Sequence, residues 1–186
     1  MPTFTNMKKM YSEKIEIPAG IQCEIKDKTI LCSKNGKQVS KSITTAAITL
    51  SVDGNTLVLT GKTDKKNYLK LIRSYSAHVR NLFAGLEKEF VYTLQACNVH
   101  FPMTLKQEKE QILINNFLGE KIPRVANILD GVELKIEGVK IKVISADIEK
   151  AGQTAANIEK ASKVTGKDRR IFQDGIFITK KPEAEI

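Results

Sequence analysis

Ile48-Thr-Leu-Ser-Val-Asp-Gly-Asn-Thr-Leu-Val-Leu-Thr60 alternates apolar and polar residues on both sides of Asp53-Gly54, and the same design returns as Val132-Glu-Leu-Lys-Ile-Glu-Gly-Val-Lys-Ile-Lys-Val-Ile144. At an offset of 84, Ile48, Leu50 and Val52 overlie Val132, Leu134 and Ile136, and Leu57 and Leu59 overlie Ile141 and Val143. Pro18 falls on Pro102, Lys37 on Lys121 and Gly54 on Gly138. A period-2 run, a turn containing Gly and a second period-2 run predict a β-hairpin with one buried face. Gly54 suits the turn because glycine takes positive φ without steric cost. A fixed-offset match of this kind predicts one unit made twice.

Working outward, each hairpin precedes a helical stripe. Tyr68, Leu71, Ile72, Tyr75, Val79, Leu82 and Phe83 recur at helical spacing, with Asp64 where an N-cap belongs. Ile148, Ala151, Ala155 and Ile158 form the second stripe, behind Asp147, and their small size predicts close approach to a sheet. Further strands are predicted over 22–33 before the turn Lys34-Asn35-Gly36-Lys37, and over 111–116 before Gly119. No parallel βαβ rhythm appears. The expected architecture is α+β: two tandem copies of a small, mainly antiparallel sheet packed on one helix, with domains at 1–84 and 85–186.

A chain of 186 residues, 41% hydrophobic, has enough apolar material for its own core. No apolar stretch approaches the ~20 residues of a membrane span, and the opening residues lack the apolar core of a secretory signal. Cys23, Cys32 and Cys97 are odd in number and widely spaced, which suits a reducing compartment and neither a disulfide framework nor a zinc site. Thirty basic against twenty-one acidic residues, a net charge of +9, favours an acidic partner, with nucleic acid first.

The charge is uneven. Residues 1–84 hold 14 basic and 6 acidic side chains, and residues 85–186 hold 16 and 15. Yet Lys160, Lys163, Lys167, Arg169, Arg170, Lys180 and Lys181 lie within 160–181 against Asp168 and Asp174 alone, a local +5. A polyanion rewards such a cluster by counterion release, and adjacent arginines add planar donors that fit phosphate. A solvated helix end followed by a basic loop accounts for the same run. Lys34 and Lys37, at a predicted hairpin tip, form a second candidate contact, although charged tips are often merely solvated.

Other chemistry finds little support. His78 reads as a polar or partly buried helix residue, and His100 sits in a connection with no metal-ligand spacing around it. Ser74, Ser76 and His78 show no Gly-x-Ser-x-Gly elbow. The glycines form neither a phosphate loop nor a dinucleotide fingerprint, and Glu108, Glu110 and Glu120 make no spaced acid pair. No catalytic residue, metal or cofactor is assigned. Without tryptophan or clustered exposed aromatics, grip on a folded, duplex-like surface is expected rather than base stacking.

The end segment Val164-x-x-Lys167-x-x-Arg170-x-Phe172-x-Asp174-Gly175-Ile176-Phe177-Ile178-x-x-Lys181 resembles the signature of the archaeal and eukaryotic branch of the large-subunit ribosomal protein L-six family, called L-nine in eukaryotic cytosolic ribosomes. Lys160 replaces the usual Gln and Phe177 the usual Tyr. Ile15-Glu16-Ile17-Pro18, His100-Phe101-Pro102 and Asn116-Phe117-Leu118-Gly119-Glu120-Lys121 also look like family landmarks, with Asn115 where relatives often carry Arg. The resemblance implies a duplicated α+β structural protein of the large subunit that is not an enzyme. It implies a second domain bound to ribosomal RNA near the sarcin–ricin region and the stalk base. Neighbouring large-subunit proteins would be partners, translation factors indirect ones, and the cytosolic ribosome the location, with support for subunit assembly and no membrane role.

Lys160, Lys163, Lys167, Arg169 and Arg170 are accordingly expected to neutralise phosphates. Phe172, Ile176 and Ile178 would dock the strand carrying Asp174-Gly175, and Asp174 would shape its turn. A nucleic-acid-binding or RNA-chaperone module outside the ribosome is the first rival, and an enzyme with a pocket at His78 or His100 the second.

Overall fold

The computed structural model describes residues 11–46, 48–61 and 66–182. The chain divides into two compact units, Met1–Lys88 and Glu89–Ile186. In the first, β1 (Ser12–Glu16), β6 (Thr56–Gly61) and β5 (Ile48–Asp53) make one antiparallel sheet in the order β1-β6-β5. A second sheet comprises β2 (Gln22–Lys26), β3 (Thr29–Lys34) and β4 (Lys37–Ser42). Helix α1 (Lys66–Glu87) packs on strands of both, burying Ile72, Val79, Leu82, Phe83 and Leu86 with Ile30, Leu57 and Leu59. The expected boundary after residue 84 thus falls in the last turn of α1, and Asp64 lies outside the described residues.

The second unit contains β7 (Phe90–Cys97), β8 (Thr104–Glu108), β9 (Gln111–Asn115), β10 (Arg124–Asn127), β11 (Glu133–Glu137), β12 (Lys140–Ser145), α2 (Ile148–Ala161) and β13 (Gly175–Lys180). Its sheets run β11-β12-β7-β13 and β10-β9-β8. Helix α2 contacts β7, β10, β12 and β13. Ala151, Ala155 and Ile158, each 0% exposed, seal a core with Leu94, Ile112, Ile114, Ile141, Val143 and Ile176. Asp147 is the N-cap the sequence predicts: its Oδ1 accepts the amides of Glu149 at 2.9 Å and Lys150 at 3.5 Å. Among the described residues, no helix is long and apolar enough to cross a membrane.

The two hairpins share one register. Leu50 pairs with Leu59 and Val52 with Leu57, while Leu134 pairs with Val143 and Ile136 with Ile141. Burial fades at one tip, where Val52 is 39% exposed. Elsewhere the offset drifts. Lys14 faces Val58 and Thr93 faces Lys142, so the first strands correspond at 79. By that register Pro18 lies level with Cys97 and not with Pro102. The turns Asp27-Lys28 and Lys109-Glu110 correspond at 82. Insertions in the second copy therefore precede β8 and β10, and they carry His100 and the turn Phe117–Gly119.

Residues 22–33 are not one strand. Asp27 and Lys28 take φ of 44° and 68° and fold the segment into a tight hairpin, β2–β3. A short polar Asp side chain tolerates the left-handed region, so the turn forms without glycine. β7 is a strand the hairpin pattern does not indicate. It holds the interior of its sheet between β12 and β13.

Candidate nucleic-acid interface

The predicted cations emerge from the end of α2 and the loop behind it. Lys160 occupies the last turn of the helix, and Lys163, Lys167, Arg169 and Arg170 follow, all exposed. Among the described residues, none of the five faces a carboxylate at ion-pair distance. Asp168 shapes the loop instead of neutralising it. Its Oδ1 accepts the Arg170 amide at 2.9 Å, and its carbonyl accepts the amides of Ile171 and Phe172 at 3.2 and 2.9 Å. Both arginine side chains consequently project from a closed turn.

Three anchors hold that turn. Ser162, 1% exposed, caps α2; its Oγ donates to the Glu159 carbonyl at 3.1 Å and accepts the Ile176 amide at 2.8 Å. One hydroxyl thus ties the end of the helix to β13. Phe172 stacks on His100 with centroids 4.9 Å apart and planes at 27°, and Lys167 Nζ lies 4.5 Å from the Phe172 centroid. Asp174, 3% exposed, receives the amides of Val99 and His100 at 2.8 and 3.0 Å on Oδ1, and His100 Nδ1 at 2.6 Å on Oδ2. Burial alone would raise the Asp174 carboxyl, but hydrogen bonds from the His100 amide, the His100 ring and the Val99 amide outweigh it and hold it below the ordinary carboxylate value.

Arg124 supplies an anchor that the charge pattern does not single out. Its Nε and Nη2 donate to the two carboxylate oxygens of Glu120 at 2.8 and 2.6 Å. Nη1 donates to the carbonyls of Ala161 and Lys163 at 3.1 and 3.0 Å, which satisfies the end of α2. The guanidinium lies 4.2 Å from the centroid of Phe117, itself 1% exposed. Hydrogen bonding to Arg124 holds the Glu120 carboxyl below its usual value against a smaller burial effect, and the charges of Arg124 and Lys167 add to it. Glu120 follows a tight backbone: Asn116, Leu118 and Gly119 have φ of 57°, 50° and 79°. The Asn116 side chain secures it by donating to the Pro102 carbonyl at 3.0 Å. The landmark strings around His100 and Asn116 were the sequence signal for this frame.

Phe172 and Ile178 are half-buried and Ile176 is fully buried, so the strand is docked as expected, on β7. Gly175 sits tightly: a Cβ there would lie 3.0 Å from the Phe177 ring and 3.4 Å from the Ser162 carbonyl. A cleft of about 830 Å³ opens beside the turn, lined by Val99, Val164, Phe172 and Phe177 with Lys160, Lys163 and Arg169. Lys180 ends β13 and Lys181 follows it, both exposed and just past Ile178, whose amide donates to Glu159 Oε1 at 3.2 Å. In the first unit, Lys34 is 3.7 Å from Glu87 and 21% exposed, so its charge is engaged, and Lys37 is exposed beside the Asn35-Gly36 turn. His78 is half-buried on α1, its ring 6.2 Å from that of Tyr75.

The family described as ribosomal protein L6 matches residues 101–175, which take in the turn Phe117–Gly119, α2 and the cationic turn. Over 169 residues the chain is 36% identical to the large ribosomal subunit protein uL6 of Methanococcus vannielii, covering 91% of this chain and 93% of that one. This chain belongs to the ribosomal protein L6 family. It is likewise 35% identical to uL6 of Haloarcula marismortui, over 91% of this chain and 95% of the relative. For uL6 of Sulfurisphaera tokodaii the identity is 41%, over 91% of each. L6 proteins are structural ribosomal proteins and not enzymes, so the anchors at His100 and Asp174 read as architecture.

Proposed function

We propose that this L6 protein, a structural constituent of the large ribosomal subunit, grips ribosomal RNA with Lys160, Lys163, Lys167, Arg169 and Arg170. The observation that carries the reading is five exposed cations, none at ion-pair distance from a carboxylate among the described residues, on a short segment whose backbone is fixed by Ser162, Arg124 and Asp174. A frame of that kind lowers the ordering cost of each phosphate contact. Lys180 and Lys181 extend the contact along the β13 edge, and Lys34 and Lys37 offer a weaker second one from the first copy. The second copy, residues 85–186, is the principal RNA-binding domain.

The RNA addressed is the sarcin–ricin region near the stalk base of the cytosolic ribosome, beside neighbouring large-subunit proteins. From there the protein supports subunit assembly and, indirectly, the landing of translation factors. Sedimentation of tagged protein through sucrose at two salt concentrations tests this: it is expected in the large-subunit fractions at both. Protein at the top of both gradients, bound to assorted RNAs instead, would favour a chaperone outside the ribosome.

A further inference from the structure

Cys23 and Cys32 stand directly opposite each other in the β2–β3 ladder. The turn between these strands has two residues, so Lys26 and Thr29, which flank it, form a hydrogen-bonded pair. Antiparallel pairs alternate, which makes Ile25–Ile30 non-hydrogen-bonded, Glu24–Leu31 hydrogen-bonded and Cys23–Cys32 non-hydrogen-bonded. At such positions Cα atoms lie about 4.5 Å apart, within the ~4.4–6.8 Å that a disulfide bridges. The two sulfurs are 2.7 Å apart and both cysteines are free thiols.

Their surroundings differ. Cys32 is 0% exposed, whereas Cys23 is half-buried, so a dissolved reagent meets Cys23 first. The hydrogen bond between the two sulfurs lowers the Cys23 thiol below its usual value against the effect of burial. The same hydrogen bond, burial and the charge on Cys23 raise Cys32. One partner is a nucleophile and the other a resolving thiol already in reach.

We propose that Cys23 and Cys32 form a reversible dithiol–disulfide site that exchanges with small disulfides of the glutathione class. The Cys23 thiolate attacks one sulfur of oxidised glutathione, breaking its S–S bond and releasing one glutathione thiolate. Cys32 gives its proton to a glutathione thiolate and attacks the Cys23 sulfur of the mixed disulfide, expelling the second glutathione. Two protein thiols are oxidised to one disulfide and oxidised glutathione is reduced to two thiols. The bond pins β2 to β3 around Asp27-Lys28, a site separate in sequence from the cationic turn.

Equilibration of the full chain with graded ratios of oxidised to reduced glutathione, acid quenching, alkylation and tryptic mass spectrometry tests the site. Trypsin cuts after Lys26 and Lys28, so the bond is expected as peptides 15–26 and 29–34 joined with loss of two hydrogens, and dithiothreitol should separate them. Cys32→Ala is expected to trap a glutathione adduct on Cys23, and Cys23→Ala to leave the buried Cys32 unmodified in folded protein. The second variant alters a half-buried position, so it stays informative should the first not fold. Complete alkylation of both cysteines at every ratio, or linkage appearing solely in urea or between chains, would overturn the proposal.

Discussion

The carboxylate of Asp174 lies 2.6 Å from Nδ1 of His100 and also takes the amides of Val99 and His100, so the residue just before β13 is fastened to the segment that leaves β7. An insertion peculiar to the second copy is thereby locked onto the strand that follows the cationic turn. With three hydrogen bonds to the His100 segment, the buried Asp174 carboxylate fixes the position of the neighbouring turn.

Asp174→Asn should destabilise the second unit by about 1–3 kcal/mol at neutral pH, because an amide cannot accept on both atoms. The pH dependence has a definite sign. A carboxyl held below its unfolded value of about 3.9 contributes stability that is fully present above that value and lost as pH falls through the folded one. Urea midpoints of the two proteins should therefore differ at neutral pH and converge below about pH 4. A gap that persists undiminished into strong acid would remove the ionised carboxylate as its source.

Arg124→Ala should cost about 1–3 kcal/mol in urea unfolding, since four charge-assisted hydrogen bonds are lost and the Ala161 and Lys163 carbonyls go unmatched. Lysine should not restore it, because one ammonium cannot replace the planar fork. Affinity for ribosomal RNA should fall while its dependence on salt stays as in the wild type, as befits a positioning residue. A shallower salt slope would instead place Arg124 among the phosphate contacts.

Ser162→Ala removes the acceptor for the Ile176 amide inside the core. The expected loss is again about 1–3 kcal/mol. Amide hydrogen exchange at Ile176 should accelerate well beyond that of other β13 amides facing β7. Unchanged protection there would mean the helix end and the strand are held together without this hydroxyl.

The duplication was legible because period-2 alternation and a turn glycine mark a hairpin from local chemistry alone, and Leu50–Leu59 and Leu134–Val143 do pair in one register. Pro18 and Pro102 coincide at 84 by chance, because the first strands, ahead of the insertions, correspond at 79. The exposed cations were legible as a charge run. Their frame was not: Arg124 reaches Ala161 across 37 positions and Asp174 reaches His100 across 74, separations that carry no periodic signal. The Asp27-Lys28 hairpin escaped the pattern since neither residue is glycine, yet both adopt positive φ.

Binding of the wild type and of the Arg169→Ala/Arg170→Ala double variant to a large-subunit ribosomal RNA fragment, measured across a range of salt, tests the proposed phosphate contact of the cationic turn most directly. Each phosphate contact contributes about 0.9 to the slope of log affinity against log salt on duplex. The double variant should bind more weakly, with a slope shallower by about 2 and an unfolding midpoint close to the wild type. Equal slopes for the two proteins would contradict the account.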